Sequence, residues 1–145
     1  MLVYRIGKTK HADDLTGEGA KLFGGRWNHP GTACIYTAET RALSLLEYIT
    51  HVSLHDIPRA LSFTCLDIPD DAIHELEIGL LPGNWTAWPH SKDSRDFGND
   101  LLNAAEYLVL KFPSAILPDE FNYLINPLQA RMKEVVIHSV NDYAL

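Results

Sequence analysis

An α+β fold in a single domain is what this sequence predicts, and three observations carry the prediction. The chain has 145 residues, the common size of one domain. Strand-like and helix-like runs follow one another without the regular alternation that builds a doubly wound parallel sheet. No internal repeat, linker or low-complexity tract divides residues 1–145.

Taken in order, Leu2 to Ile6 reads as a short strand. Residues 8–23 are polar and dotted with glycine. They lead into Gly24-Gly25-Arg26-Trp27-Asn28-His29-Pro30-Gly31, where paired glycines and a Pro-Gly step mark a tightly shaped loop. Ala33 to Ala38 is the next strand. A helix then runs from about Ala38 to His51, with Thr37 as its cap and Glu39 in its first turn. Its apolar stripe is Ala42, Leu45, Leu46, Ile49 and Val52, and Glu47 falls beside Leu43 at the margin of that stripe. Ala60 to Ile68 alternates as a strand. Pro69, Gly79, Pro82, Gly83, Pro89 and Gly98 break up any long element in residues 69–99; Trp85 and Trp88 are expected to pin this stretch to the body. Asn99 to Phe112 reads as a second helix stopped by Pro113. Ala115 to Leu117, Tyr123 to Ile125 and Val135 to His138 are short strand candidates.

The totals exclude several classes of function. A net charge of -7 repels phosphate backbones, so general nucleic-acid binding is not expected. No apolar run approaches the ~18 residues of a membrane span, and the start of the chain lacks a signal-like apolar core, so a soluble, cytoplasmic protein is expected. Cys34 and Cys65 lie inside apolar runs and read as buried thiols rather than a disulfide. The seven histidines are scattered, and only His51 and His55 share an i, i+4 spacing, without the Glu of a zinc-protease motif. No metal site is expected.

Some residues have chemistry available. Arg26 follows two glycines, so the backbone can approach a ligand while a guanidinium reaches over it, a geometry suited to phosphate or carboxylate; a turn arginine paired with an acidic neighbour is the alternative. Tyr36 on its strand, taken alone, reads first as a core aromatic with its hydroxyl at the edge. Glu47 projects toward the edge of a buried face, where a carboxylate is costly without a purpose. Ser114 lies in no G-x-S-x-G elbow, and neither a P-loop nor a dinucleotide-binding glycine fingerprint is present. Spacing alone leaves the function open.

Several separated runs nevertheless resemble one family. Gly24 to Gly31, then Ile35-Tyr36, then Ala42-Leu43-Ser44-Leu45-Leu46-Glu47 are similar to the N-terminal half of RES-domain proteins. Phe112-Pro113-Ser114-Ala115 and Asn122 to Pro127 are similar to their C-terminal signature. The intervening His29 departs from the family's usual Asn-Pro. The resemblance spans Tyr4-Arg5 to Asn126-Pro127 and places the family's Arg, Glu and Ser on Arg26, Glu47 and Ser114. It implies an ADP-ribosyltransferase-like mixed sheet with flanking helices, and the toxin of a toxin–antitoxin pair. The implied partner is an Xre-type helix-turn-helix antitoxin, with room for a homodimer within the complex. The implied reaction consumes NAD+ as a substrate, with no resident cofactor: Glu47, Arg26 and Tyr36 are the catalytic residues, and Arg5, Arg26, Ser114 and Asn126 bind NAD+. ADP-ribosyl transfer to a protein by the same residues is the alternative activity. A non-catalytic nucleotide- or partner-binding module is the alternative from another class, and a ribonuclease is disfavoured by the acidic charge.

Overall fold

The strand-like runs close into a single sheet. The structure is a computed structural model that describes residues 1–145 apart from the side chain of Leu54. Its strands are β1 (Leu2–Lys8), β2 (Ile35–Ala38), β3 (Leu61–Asp67), β4 (Ile73–Glu75), β5 (Val109–Pro113), β6 (Phe121–Ile125) and β7 (Val136–Tyr143). Its α-helices are α1 (Glu18–Phe23), α2 (Arg41–Thr50) and α3 (Lys92–Ala104). The seven strands lie in the order β4-β5-β6-β2-β1-β3-β7. The β4–β5 pair is parallel and every other pair is antiparallel, so the sheet is mixed and the α+β class holds. Among the described residues, no helix is long and apolar enough to cross a membrane.

Side chains alternate across this sheet and fill both faces. Val3, Ile35, Val109, Tyr123 and Ile125 enter one core with Leu66 and Ile68. Leu110, Phe112 and Leu124 enter the other, with Trp27, Trp85 and Leu102. On that second face the register pairs Phe112 with Asn122, Asn122 with Ala38, Leu124 with Tyr36, and Ala38 with Tyr4. Partners in register point the same way, so Tyr4, Tyr36, Phe112 and Asn122 share one floor.

Five readings of local structure are corrected. The cap of α2 is Thr40, whose Oγ1 accepts from Leu43 N at 3.0 Å, while Thr37 belongs to β2 and donates to the Tyr123 carbonyl. The inward face of α2 is Leu43 and Ser44, with Ala42 exposed and Glu47 half-buried in line with Leu43. The helix covers a cleft instead of a closed core, so polar Ser44 and Glu47 turn inward beside Leu43 while Leu45, Leu46, Ile49 and Val52 are only half-buried. The second helix starts at Lys92, capped by Ser91, and ends at Ala104; Ala105 closes it at φ 51°. Beyond it Val109–Pro113 is the strand β5, covered on both faces by the two cores and therefore without alternation to announce it. Residues 115–117 are a bend, not a strand. Residues 69–99 also contain β4, and Trp85 is buried there and pins the segment, while Trp88 is 61% exposed and meets α2 at its C-terminal cap, His51.

Cys34 and Cys65 are buried free thiols. Burial pushes the Cys34 thiol up to about 12, partly countered by the nearby Tyr36 hydroxyl. The folded chain therefore holds this proton more tightly than the unfolded chain, whose thiols ionise near ~8.5. Stability from this thiol is full below the unfolded value and falls as pH rises toward the folded one. Melting temperatures measured from pH 8 to pH 11 are expected to decline, and Cys34→Ala to flatten part of the decline.

Candidate functional site

A cleft of about 650 Å³ opens over the floor formed by β2, β5 and β6, between α2 and the loop after α1. Arg26, Tyr36, Glu47, Asn122, Trp88 and Arg95 are among the residues that line it. Its volume falls within the ~300–1,000 Å³ of small-molecule sites.

Glu47 is held from behind. Its Oε1 accepts from the Ser114 hydroxyl at 2.7 Å and from Asn122 Nδ2 at 2.8 Å. Oε2 has no hydrogen-bond partner among the described residues and belongs to a side chain that lines the cleft. The carboxylate is thus oriented through one oxygen and leaves the other for a ligand. Ser114 is fully buried, and its Oγ also accepts from Ile116 N and Leu117 N, both at 3.1 Å. A hydroxyl has one proton and two lone pairs, so the Ser114 hydroxyl is fully engaged. It positions Glu47 and is not available as a nucleophile. Ser114→Ala removes that support and strands two backbone donors; a loss of about 1–3 kcal/mol is expected, seen as a lower melting temperature.

The loop after α1 is built around Asn28. This residue is fully buried, and its Nδ2 donates to the carbonyls of Ala20 (2.9 Å) and Thr32 (3.0 Å). Its Oδ1 accepts from the Tyr36 hydroxyl at 2.6 Å, and that hydroxyl in turn accepts from Trp27 N at 3.0 Å. Burial raises the Tyr36 phenol well above its ordinary range. Its oxygen is a structural tie, and what Tyr36 offers the cleft is its ring. Gly25 lies over that ring, and a Cβ there would come within 2.6 Å of the hydroxyl oxygen. Gly24, at φ 72°, needs the left-handed region that glycine adopts freely.

Arg26 reaches across to the segment before α3, where Nη1 donates to the carbonyls of Trp85 (2.7 Å) and Ala87 (2.9 Å). Burial lowers its affinity for the proton, and the negative charge of Glu47 works in the opposite direction. The two groups feel each other without an ion pair within 4.0 Å.

The structure therefore brings Arg26, Tyr36 and Glu47 around one cleft and sets Ser114 behind Glu47. Of the other expected ligand contacts, Arg5 lines the cleft with its terminal nitrogens engaged, and Asn126 lies outside it. Arg5 borders the cleft, yet strand alternation turns it away from the face of Tyr4 and Ile6. Its Nη1 and Nη2 donate to the carbonyls of Asp14 (2.9 Å) and Ala12 (3.1 Å), holding the loop after β1. Asn126 is buried outside the cleft, with Nδ2 on the Leu102 carbonyl and Oδ1 accepting from Leu128 N. The amide that does reach the site is Asn122, which sequence reasoning missed. The period of β6 was a usable signal, because Asn122 and Leu124 share a face. Arg95, His51, Trp88 and His90 also line the cleft and carried no sequence signal that separated them from surface residues. Among the described residues, no cluster of His, Cys, Asp or Glu has the makings of a metal site.

The RES domain family model matches residues 2–145, essentially the whole chain. The chain belongs to the RES domain family. Its relatives include the Prs ADP-ribosylating toxin of Sphingobium sp. (strain YBL2), 36% identical over 139 residues, covering 94% of this chain and 86% of the relative. The Toxin Res of Photorhabdus laumondii is 33% identical over 129 residues, covering 88% and 83%. The Toxin Res of Pseudomonas putida is 30% identical over 145 residues, covering 99% and 95%. Among solved structures, the M. tuberculosis MbcT-MbcA toxin-antitoxin complex contains a chain that superposes with a TM-score of 0.81 at 20% identity, covering 99% of this RES domain and 84% of that chain. That match shows a shared fold.

Proposed function

We propose that this RES domain is the toxin of a toxin–antitoxin pair and that it cleaves the bond between nicotinamide and ribose in NAD+. The observation that carries the chemistry is Glu47, clamped through Oε1 by Ser114 and Asn122 and open to the cleft through its other oxygen. Nicotinamide in NAD+ is a cationic leaving group. When its glycosidic bond breaks, the electron pair departs with nitrogen, neutral nicotinamide is released, and positive charge develops on the ribose. A carboxylate preorganised beside that sugar stabilises the charge as it forms. Water then adds to the sugar carbon, giving ADP-ribose and a proton.

The remaining residues fit this reading. The Tyr36 ring covers one side of the nicotinamide–ribose end and excludes water, and the free donors of Arg26 hold the diphosphate. A few arginines in one cleft suffice for a dinucleotide despite the overall charge of -7. Ser114→Ala, which frees the Glu47 carboxylate, is expected to lower turnover roughly 10- to 100-fold in steady-state kinetics, the equivalent of one charge-assisted hydrogen bond.

ADP-ribosyl transfer to a protein is the second reading, and it is supported by the 36% identical relative named an ADP-ribosylating toxin. The two differ in what attacks the sugar. Purified chain is incubated with NAD+ labelled in its ADP-ribose half, with and without cell extract. Soluble labelled ADP-ribose supports hydrolysis, and label retained on protein supports transfer. Intact NAD+ after incubation with folded, antitoxin-free chain would sink both. The proposed cellular setting is the cytoplasm, with a helix-turn-helix antitoxin of Xre type covering the cleft. Co-purification of this chain with the product of the adjacent gene, and loss of NAD+ cleavage in the complex, is the expected result.

A further inference from the structure

The segment from Trp85 to Arg95 brings to the cleft an aromatic surface and a cation that the chemistry at Glu47 leaves unused. Trp88 is 61% exposed and lines the cleft. Its ring is nonetheless braced. His51 packs against it at 4.6 Å with the planes 33° apart, and His90 meets it at 4.6 Å and 86°. With those two rings against it, its large exposed area is the remaining surface. His90 Nδ1 is a buried side-chain nitrogen without a hydrogen-bond partner among the described residues, a condition that calls for a ligand or an ordered water.

Arg95 is the least committed arginine of the site. Its Nε donates to the Gly25 carbonyl at 3.0 Å, and among the described residues its terminal nitrogens make no hydrogen bond or ion pair. Arg5, by contrast, has both terminal nitrogens on loop carbonyls. Arg26 and Arg95 thus put two guanidinium groups without a carboxylate partner into one cleft of an acidic protein, an arrangement that favours an anionic ligand. Arg26, Arg95 and Trp88 line the same cleft as Glu47, so a carboxylate, two guanidinium groups and an aromatic ring are together available to the sugar, diphosphate and base of one dinucleotide.

We propose that Trp88 and Arg95 form the subsite for the adenylate half of the substrate, Trp88 stacking the purine and Arg95 binding the adjoining phosphate. The inference rests on the reading of Glu47 as the place where NAD+ is cleaved. Burial and the charges of Arg26 and His51 lower the His90 imidazole to about 4, so it stays neutral near pH 7 beside the base.

ADP tests the subsite by itself, because it carries the base and phosphates and has no nicotinamide to lose. Calorimetric titration of the purified chain with ADP is expected to show binding that weakens about tenfold in Trp88→Ala and in Arg95→Gln, the scale of one stacked base or one phosphate contact. Trp88→Phe is expected to recover most of the loss, and melting curves of all three establish that they fold. The KM for NAD+ is expected to rise by a similar factor in both weakened variants, with kcat changed less. Absence of ADP binding by the wild-type chain, or affinities within twofold of wild type in both variants, overturns the proposal. ADP binding that depends on both residues in a chain that leaves NAD+ intact keeps the subsite and removes the cleavage reading. NAD+ cleavage with KM unmoved in both variants does the reverse.

Discussion

Glu47→Gln is expected to reduce NAD+ cleavage by about a hundred- to a thousand-fold, the loss typical when one preorganised electrostatic group is removed from a site. The substitution is nearly isosteric. A glutamine carbonyl still accepts from Ser114 and Asn122, the two donors that hold Oε1, so the helix and the floor of the cleft keep their positions. What changes is the group that faces the sugar, from an anion to a neutral amide. Steady-state assays should therefore show the loss in kcat, with NAD+ binding retained and the melting temperature within a few degrees of wild type. Growth inhibition by the expressed chain should disappear in parallel. A variant that folds, binds NAD+ and still cleaves it at the wild-type rate would remove Glu47 from the chemistry.

Gly98→Ala is expected to lower stability substantially. Gly98 lies in α3 directly against Trp27, and a Cβ at this position would run into the Trp27 carbonyl and Cβ. The obstruction is backbone, so it cannot swing aside. Trp27 is also locked on its other sides: its ring stacks on Phe112 at 4.1 Å and 12°, and on Trp85 at 6.3 Å and 20°. Relief requires α3 to move away from the loop that carries Arg26. Overpacking of this kind costs about 1–3 kcal/mol, which for a chain of this size corresponds to a fall of roughly 2–12 °C in melting temperature. Activity should fall as well, because Arg95 and the Trp85 and Ala87 carbonyls that hold Arg26 are carried by the same segment. A melting temperature equal to wild type would show that the contact between α3 and Trp27 is looser than this packing implies.

The two variants mark different kinds of information. Glu47 could be singled out from sequence because it stands in a helix beside an apolar stripe, and because the runs around it resemble one family. Gly98 carried no such mark. In sequence it was one of several helix-breaking residues in 69–99, and only the approach of Trp27, 71 positions earlier in the chain, explains why a side chain is excluded there. The same contrast separates Ser114 from Asn126. Both belong to the C-terminal run, yet one hydroxyl reaches Glu47 while the other side chain points away to Leu102 and Leu128.

By itself the sequence determined the α+β class, the positions of β1, β2, β3 and β6, and the buried state of both cysteines, because local alternation and turn chemistry are written in neighbouring residues. It also carried the family, through motifs in a fixed order. The tertiary structure decided the rest. Val109–Pro113 is a strand because β4 and β6 flank it and the two cores cover its faces, a burial that erases the alternation by which a strand is recognised. The inward face of α2 is set by a cleft that tolerates Ser44 and Glu47 where a closed core would demand leucine. The floor of that cleft depends on register between strands distant in the chain, which puts Tyr36, Phe112 and Asn122 on one face. Side-chain direction across a sheet is fixed by pairing, and pairing is a property of the whole chain.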